Sequence, residues 1–440
     1  MRRHETPLAI AYALARHGPR RAARILDPAV GNGVLLEPFF GRSGGGGFEA
    51  FAVDSDSRPL KRVRLRLNSG AGRVLKVIQA DFLEWACRYG KRRGELFDCV
   101  VMNPPFAGRR RRWRSLVGLG KLLGLSSLPE TGPVEAGFVL GAVALLRPGG
   151  RLLAVLPASL MTAPSTGWVR GFLAGTGAIR HVHELPRFAF PEIESRIYLV
   201  VYEKGGQRRE TLLLNHDLKE PEKLVMAGRA AAGAERLDFG YHSARARFGA
   251  LRKRASLGWC RLGELATVWR GTEKTPGIAE SVVHTGNHVG GFWQSDRVRS
   301  LKGGAVADGQ IRPGDILVRR VSRNCARSFG LGIGIRGALV SDCVLIARPR
   351  YRVGSTRLLF AIRCLMALDF GPGLLERGTG ASYLAQGELG GLEVPYGLSR
   401  VCRALFGLYR RAVRCRCFEA MQGVESRAVR KLLRADGGEA

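Results

Sequence analysis

The sequence predicts an α/β fold over about its first 200 residues, with a parallel sheet built from βαβ units, followed by a second domain of mixed α+β character. Three observations lead there. Short apolar runs alternate with helical segments up to residue 204. The first three of those runs end on or just before an aspartate: Asp27, Asp54 and Asp81. Beyond Glu203 the periodicity changes and does not return to the same pattern.

In chain order, the segment Leu8–Arg16 reads as an amphipathic helix. It follows Met1-Arg-Arg and superficially resembles a signal peptide, but it leads directly into a chemical motif, so we read it as part of the domain. Strands follow at Ala23–Leu26, Ala50–Val53, Lys76–Gln79, Phe97–Met102 and Arg151–Leu156, with two more near Ile179–Glu184 and Ile197–Tyr202. Helices are expected between them at Val34–Phe39, Pro59–Leu67, Phe82–Tyr89 and Pro133–Leu146. Residues 205–255 are mixed and polar, and read as a linker with some structure. The second domain, 256–440, opens with Leu262-Gly-Glu-Leu-Ala-Thr-Val and closes with a basic helix or helix pair from Arg400 to Arg434.

A chain of 440 residues can bury two or three cores. Its formal charge of +33, carried mostly by arginine along the whole length, points to a polyanionic partner, with nucleic acid first. Nine cysteines form no Cys-x-x-Cys pair and no zinc-ligand spacing, as expected of a reducing cytoplasm. His284 and His288 are four apart, but the glycines around them argue against a helix, so no metal site is assigned. No apolar run is long enough to span a bilayer.

The first strand turns into Asp27-Pro28-Ala-Val-Gly31-Asn-Gly33, where glycines allow close approach of the backbone to a ligand. Asp54 ends the second strand, where a carboxylate accepts from ribose hydroxyls in doubly wound folds. Asp81-Phe82 ends the third, offering an acceptor for an exocyclic amine and a ring for adenine. The turn after the first strand, Gly31-Asn-Gly33-Val-Leu-Leu36, lacks the Gly-x-Gly-x-x-Gly signature, which argues against NAD. A nucleoside cofactor without phosphates needs no anion cradle, and S-adenosylmethionine is one.

The fourth strand runs into Asn103-Pro104-Pro105-Phe106. This corner resembles the catalytic motif of amino-methyltransferases, Asn/Asp-Pro-Pro-Tyr/Phe. The order Thr6-Pro7, Asp27–Gly33, Asp54, Asp81-Phe82, Asn103–Phe106 is similar to that of adenine-N6 DNA methyltransferases of bacterial restriction–modification systems. The resemblance implies a Rossmann-like S-adenosylmethionine-dependent domain over 1–204. It implies that Asn103 and the Pro104 carbonyl accept from the target amine while Pro105 stiffens the corner. Phe106 and Phe190 would stack on an adenine extruded from duplex DNA, and Thr6 would touch the methionine end of the cofactor. An exocyclic amine shares its lone pair with the purine, so two fixed acceptors that draw it toward tetrahedral geometry explain these residue types.

The second half resembles target-recognition domains of type I specificity subunits, on Leu262–Gly271, Pro313–Leu317 and Gly378–Pro395. The resemblance implies base reading in duplex DNA, with arginines on phosphates. Candidates for those contacts are Arg109, Arg110, Arg111 and Arg112 beside the catalytic corner, and Arg319, Arg320, Arg323 and Arg327 in the second domain. No nuclease constellation stands out, so a restriction endonuclease, where one exists, would be a separate chain. The expected location is the cytoplasm, at the nucleoid. Methylation of RNA adenine or of a protein glutamine uses the same corner. The glutamine enzymes carry their extra mass N-terminally, whereas here it is C-terminal, and no RNA-binding module stands out.

Overall fold

The structure is a computed structural model. It describes residues 5–19, 24–41, 47–67, 72–91, 96–106, 110–112, 114–125, 128–129, 131–186, 189–190, 196–207, 210–216, 224–231, 236–253, 257–272, 282–294, 309–378 and 382–434. The chain divides into two compact units, Met1–His242 and Ser243–Ala440.

The first unit runs α1 (Leu8–Ala15), β1 (Arg24–Asp27), α2 (Glu37–Phe40), β2 (Phe48–Asp54), α3 (Ser57–Arg66), β3 (Arg73–Gln79), α4 (Phe82–Lys91) and β4 (Phe97–Met102). It continues through β5 (Arg110–Arg112), α5 (Arg114–Leu122), β6 (Thr131–Pro133), α6 (Val134–Leu145), β7 (Leu146–Pro157), α7 (Ala158–Thr162) and α8 (Gly167–Thr176). It ends with β8 (Gly177–Glu184), β9 (Ile197–Lys204), β10 (Thr211–His216) and β11 (Leu224–Ala230). Nine of these strands form one sheet in the order β11-β10-β8-β9-β7-β4-β1-β2-β3.

Both faces of this sheet are covered, and that is why its central strands are continuously apolar rather than alternating. In β1, Ile25 packs with α1, α2 and α3 while Leu26 packs with α4, α6 and their neighbours. All six residues of β4 are buried. The order reverses between β1 and β4, because β2 and β3 go to one side and β4 returns to the other. In doubly wound sheets such a reversal opens a crevice at the carboxyl ends of the strands, where ligands bind.

Three expectations are corrected. The sheet is not wholly parallel: β9 runs antiparallel to both β7 and β8. Residues 205–255 do not form a linker apart from the domains. They supply β10, parallel to β8, and β11, antiparallel to β10, and then the helix Phe239–Arg252. Helix α1 is apolar all round rather than amphipathic: Ile10, Ala11, Leu14 and Ala15 are buried, while Leu8 and Tyr12 are exposed.

In the second unit a six-stranded sheet is ordered Ala266–Arg270, Val344–Pro349, Ile316–Arg319, Gly330–Ile333, Phe292–Gln294, His288–Val289. The buried helix Ser355–Ala367 anchors its core. Arg363 of that helix forms a buried ion pair with Glu425 at 2.5 Å and donates to the Phe329 carbonyl at 2.8 Å. Glu425 belongs to the second of two C-terminal helices, Arg403–Arg414 and Phe418–Arg434. The sequence landmarks converge: Trp259–Arg261 pairs with Glu393–Pro395, and the Leu262 amide donates to the Leu392 carbonyl at 2.8 Å. Gly314 has φ +90°, which turns the chain so that buried Asp315 can take a two-pronged ion pair from Arg348 at 2.8 and 2.9 Å. Among the described residues no helix is long and apolar enough to cross a membrane.

Candidate active site

The carboxyl edge of the sheet gathers the residues that the sequence singled out. Asp27 ends β1, Asp54 ends β2, Asp81 follows β3 and Asn103 follows β4. Gly31 and Gly33 have φ of +50° and +82°, conformations that side chains resist. A Cβ on Gly33 would meet Val63 at 3.3 Å, so that glycine also lets α3 pack close. A Cβ on Gly31 would meet nothing nearer than 3.9 Å, which leaves the loop open on that side.

Asp27 is 1% exposed. Its Oδ1 accepts from the Ala29 amide at 3.0 Å, and its Oδ2 is buried without a hydrogen-bond partner. Burial, with a smaller push from Asp54, raises its pKa to about 8. Asp54 accepts from the Gly31 amide at 3.1 Å and from the Asp56 amide at 2.9 Å, so it braces the glycine loop. Each carboxylate oxygen can accept more than one bond, so a ligand can be received there as well. Asp81 is exposed and caps α4 by accepting from the Leu83 and Glu84 amides at 2.9 and 3.3 Å.

The Asn103 side chain donates from Nδ2 to Thr6 Oγ1 at 2.9 Å, across 97 positions of chain. Thr6 is buried and precedes α1. This contact fixes the amide and leaves Asn103 Oδ1 as an acceptor at the crevice edge. Pro104 is buried, Pro105 exposed and Phe106 half-buried against the α1 side of the core. Pro28 is buried on the turn after β1.

Two aromatic assignments differ from expectation. Phe82 is 3% exposed, with its ring 5.0 Å from Phe138 and against Gly141, so it packs α4 onto α6. Phe190 is 2% exposed and sits in the cluster of Ile10, Leu14, Ile197 and Leu199. Neither ring presents an open face. Both fill the core, a role that an aromatic at a strand end can take as readily as contact with a ligand.

The arginines divide. Arg109 lies outside the described residues. Arg110, Arg111 and Arg112 form β5, paired with Thr131–Pro133. Arg319 donates to the Thr285 and His288 carbonyls at 2.9 and 3.2 Å, and Arg320 to the Asp342 carbonyl at 2.6 Å. Those two guanidinium groups clamp loops, whereas Arg323 and Arg327 are exposed.

Sequence reasoning missed two features. Thr6 acts on Asn103, which no spacing reveals. Glu135, in the first turn of α6, is 5% exposed, with Oε2 lacking a partner and its pKa raised by burial. Because α6 runs directly into the amino end of β7, its own amino end lies at the carboxyl edge of the sheet. An acid directly after Pro133-Val134 at a helix start was the available signal.

No family model matches the chain. A type II methyltransferase of Thermus thermophilus is 29% identical over 194 residues, 42% of this chain and 41% of that protein. The matched segment is homologous to a type II methyltransferase. The chain thus spans about two fifths of the length of this curated relative. Its fold is shared with restriction–modification enzymes of known structure. The type IIG restriction endonuclease BpuSI aligns over 96% of this chain and 60% of its own, at 15% identity and a TM-score of 0.52. The type IIL restriction–modification enzyme MmeI, solved in complex with DNA, aligns over 98% and 72%, at 12% identity and a TM-score of 0.56.

Proposed function

We propose that the chain is a site-specific DNA methyltransferase that uses S-adenosylmethionine to methylate the N6 amine of an adenine extruded from duplex DNA. The observation that carries this reading is Asn103, fixed by Thr6 at the carboxyl end of β4, beside the point where strand order reverses. When bound, S-adenosylmethionine supplies an electrophilic methyl group on a sulfonium.

The residues fit that cofactor. The orphaned, buried Oδ2 of Asp27 matches the ammonium of the methionine end, whose positive charge would restore the ionised carboxylate. Asp54 accepts from ribose hydroxyls, and Asp81 accepts from the exocyclic amine of the nucleoside. On the other side, Asn103 Oδ1 and the Pro104 carbonyl accept from the two N–H bonds of the target amine. Held so, the nitrogen lone pair is drawn out of conjugation with the purine and aimed at the methyl group. Half-buried Phe106 supplies the ring against the base. The target-recognition role falls to the second unit, with exposed Arg323 and Arg327 as phosphate contacts.

The type II methyltransferase homologue and the shared fold with restriction–modification enzymes support this reading over RNA adenine or protein glutamine. The test is transfer of tritiated methyl groups to duplex DNA by the full chain and by Asn103→Ala. The variant should bind S-adenosylmethionine and transfer nothing; near-normal turnover would remove Asn103 from the mechanism.

A further inference from the structure

The chain has eight histidines, and four of them meet in one place beside β8 and β10, across β9 and β7 from β4. His17 follows α1, His181 and His183 alternate on β8, and His216 ends β10. Val182, between the two on β8, packs on the α4–α6 side, so His181 and His183 face the side that α1 covers. The ring centroids of His17 and His181 are 4.8 Å apart, and those of His17 and His183 are 4.9 Å apart.

We propose that His17, His181 and His183 bind a divalent transition metal of the zinc class, which staples the end of α1 to β8. Two observations carry this. First, one ligating nitrogen from each ring lies within 4.8 Å of the others, and His17 Nδ1 and His181 Nδ1 face each other at 3.1 Å. Two imidazole nitrogens on one tetrahedral zinc stand about 3.3 Å apart, so these two need almost no movement. Second, His183 Nδ1 contacts His216 Nε2 at 2.8 Å, which leaves His183 Nε2 buried with no hydrogen-bond partner. A ligand nitrogen on one side of a ring and a hydrogen-bonded nitrogen on the other is the usual outer-shell arrangement of a metal-bound histidine.

The surroundings define the ion's fourth ligand. Arg151 donates to the His17 carbonyl at 2.7 Å and, with Arg16 and Arg180, makes the neighbourhood positive. That charge opposes a dication, and an exogenous anion in the open position would offset it. Sequence spacing could not reveal the site, since its first two ligands are 164 positions apart. It lies at the opposite end of α1 from Thr6, which precedes that helix and holds Asn103. The metal therefore ties down the helix that carries the catalytic clamp, without taking part in transfer.

The test uses the full chain, stripped with a chelator, reloaded with Zn2+ or Co2+ and dialysed against metal-free buffer. One equivalent of zinc by mass spectrometry, and the visible absorption of tetrahedral Co2+, are expected. His183→Ala should abolish both, and His216→Ala should weaken binding about 10- to 100-fold. His242→Ala, outside the cluster, should leave both unchanged. A wild-type chain that retains no metal and shows no Co2+ band overturns the proposal, even should the variants fail to fold. Equal retention by a folded His183→Ala variant overturns it as well.

Discussion

Replacing Thr6 by valine removes one hydroxyl while keeping the branched shape, and so isolates the clamp on Asn103. Thr6 is 6% exposed, so water does not readily take the place of its oxygen. The Asn103 Nδ2 donor would then be left unsatisfied or would swing away, at a cost of about 1–3 kcal/mol. If that cost appears in the transition state, kcat falls about 5- to 150-fold, at roughly 1.4 kcal/mol per tenfold. Thr6→Ser restores the acceptor and should restore most of the rate. The assay is initial-rate transfer of tritiated methyl groups to duplex DNA with the cofactor varied, together with direct measurement of cofactor binding. The KM for the cofactor should stay within about twofold, because the loss falls on the catalytic corner. A Thr6→Val variant with unchanged kcat and a raised KM would refute the clamp. It would return Thr6 to the cofactor contact that the family resemblance implies.

Three further outcomes follow from the same geometry. Phe190→Ala should destabilise the first unit by about 3–5 kcal/mol in urea unfolding, as expected for a buried phenylalanine; lost activity with unchanged stability would make Phe190 a base-stacking residue instead. Asp27 has its folded pKa raised from 3.8 to about 8, so the native state holds a proton that the unfolded chain loses. Its contribution is full below about pH 4 and is lost as pH rises through about 8. Without cofactor, the gain in Tm of Asp27→Asn over wild type should therefore grow across that window, and a pH-independent difference would contradict the buried, protonated carboxyl. Replacing Arg323 and Arg327 by glutamine should flatten the slope of log affinity against log salt for duplex DNA by about 1–2; an unchanged slope would take both off the phosphates.

Much of the candidate site is legible because a buried strand that ends at an open crevice changes chemistry there. The run Phe97–Met102 is almost wholly apolar and then breaks at Asn103-Pro104-Pro105, and the structure ends β4 at Met102. Asp27 and Asp54 stand out for the same reason. What the text conceals is contact between distant elements. Strands β10 and β11 are hidden in a mixed, polar stretch; β11 lies at the sheet's edge, and β10 gains its second partner from β8, about 30 residues earlier. The reversed direction of β9 is a matter of how it pairs with β7 and β8, which its own residues do not state. Phe82 and Phe190 show the limit for aromatics, since a ring that fills a core and one that receives a base look alike in sequence. Arg319 and Arg320 show it for charge, because both are spent on backbone carbonyls of loops 22 to 34 positions away.

The central claim is that the corner at Asn103 methylates the N6 amine of adenine in DNA. The most direct measurement incubates the full chain with S-adenosylmethionine and duplex DNA, digests the DNA to nucleosides and identifies the product by mass spectrometry. The account predicts N6-methyladenine from the wild-type chain and none from Asn103→Ala. Methylated cytosine, or unmodified DNA alongside methylated RNA or protein, would contradict it.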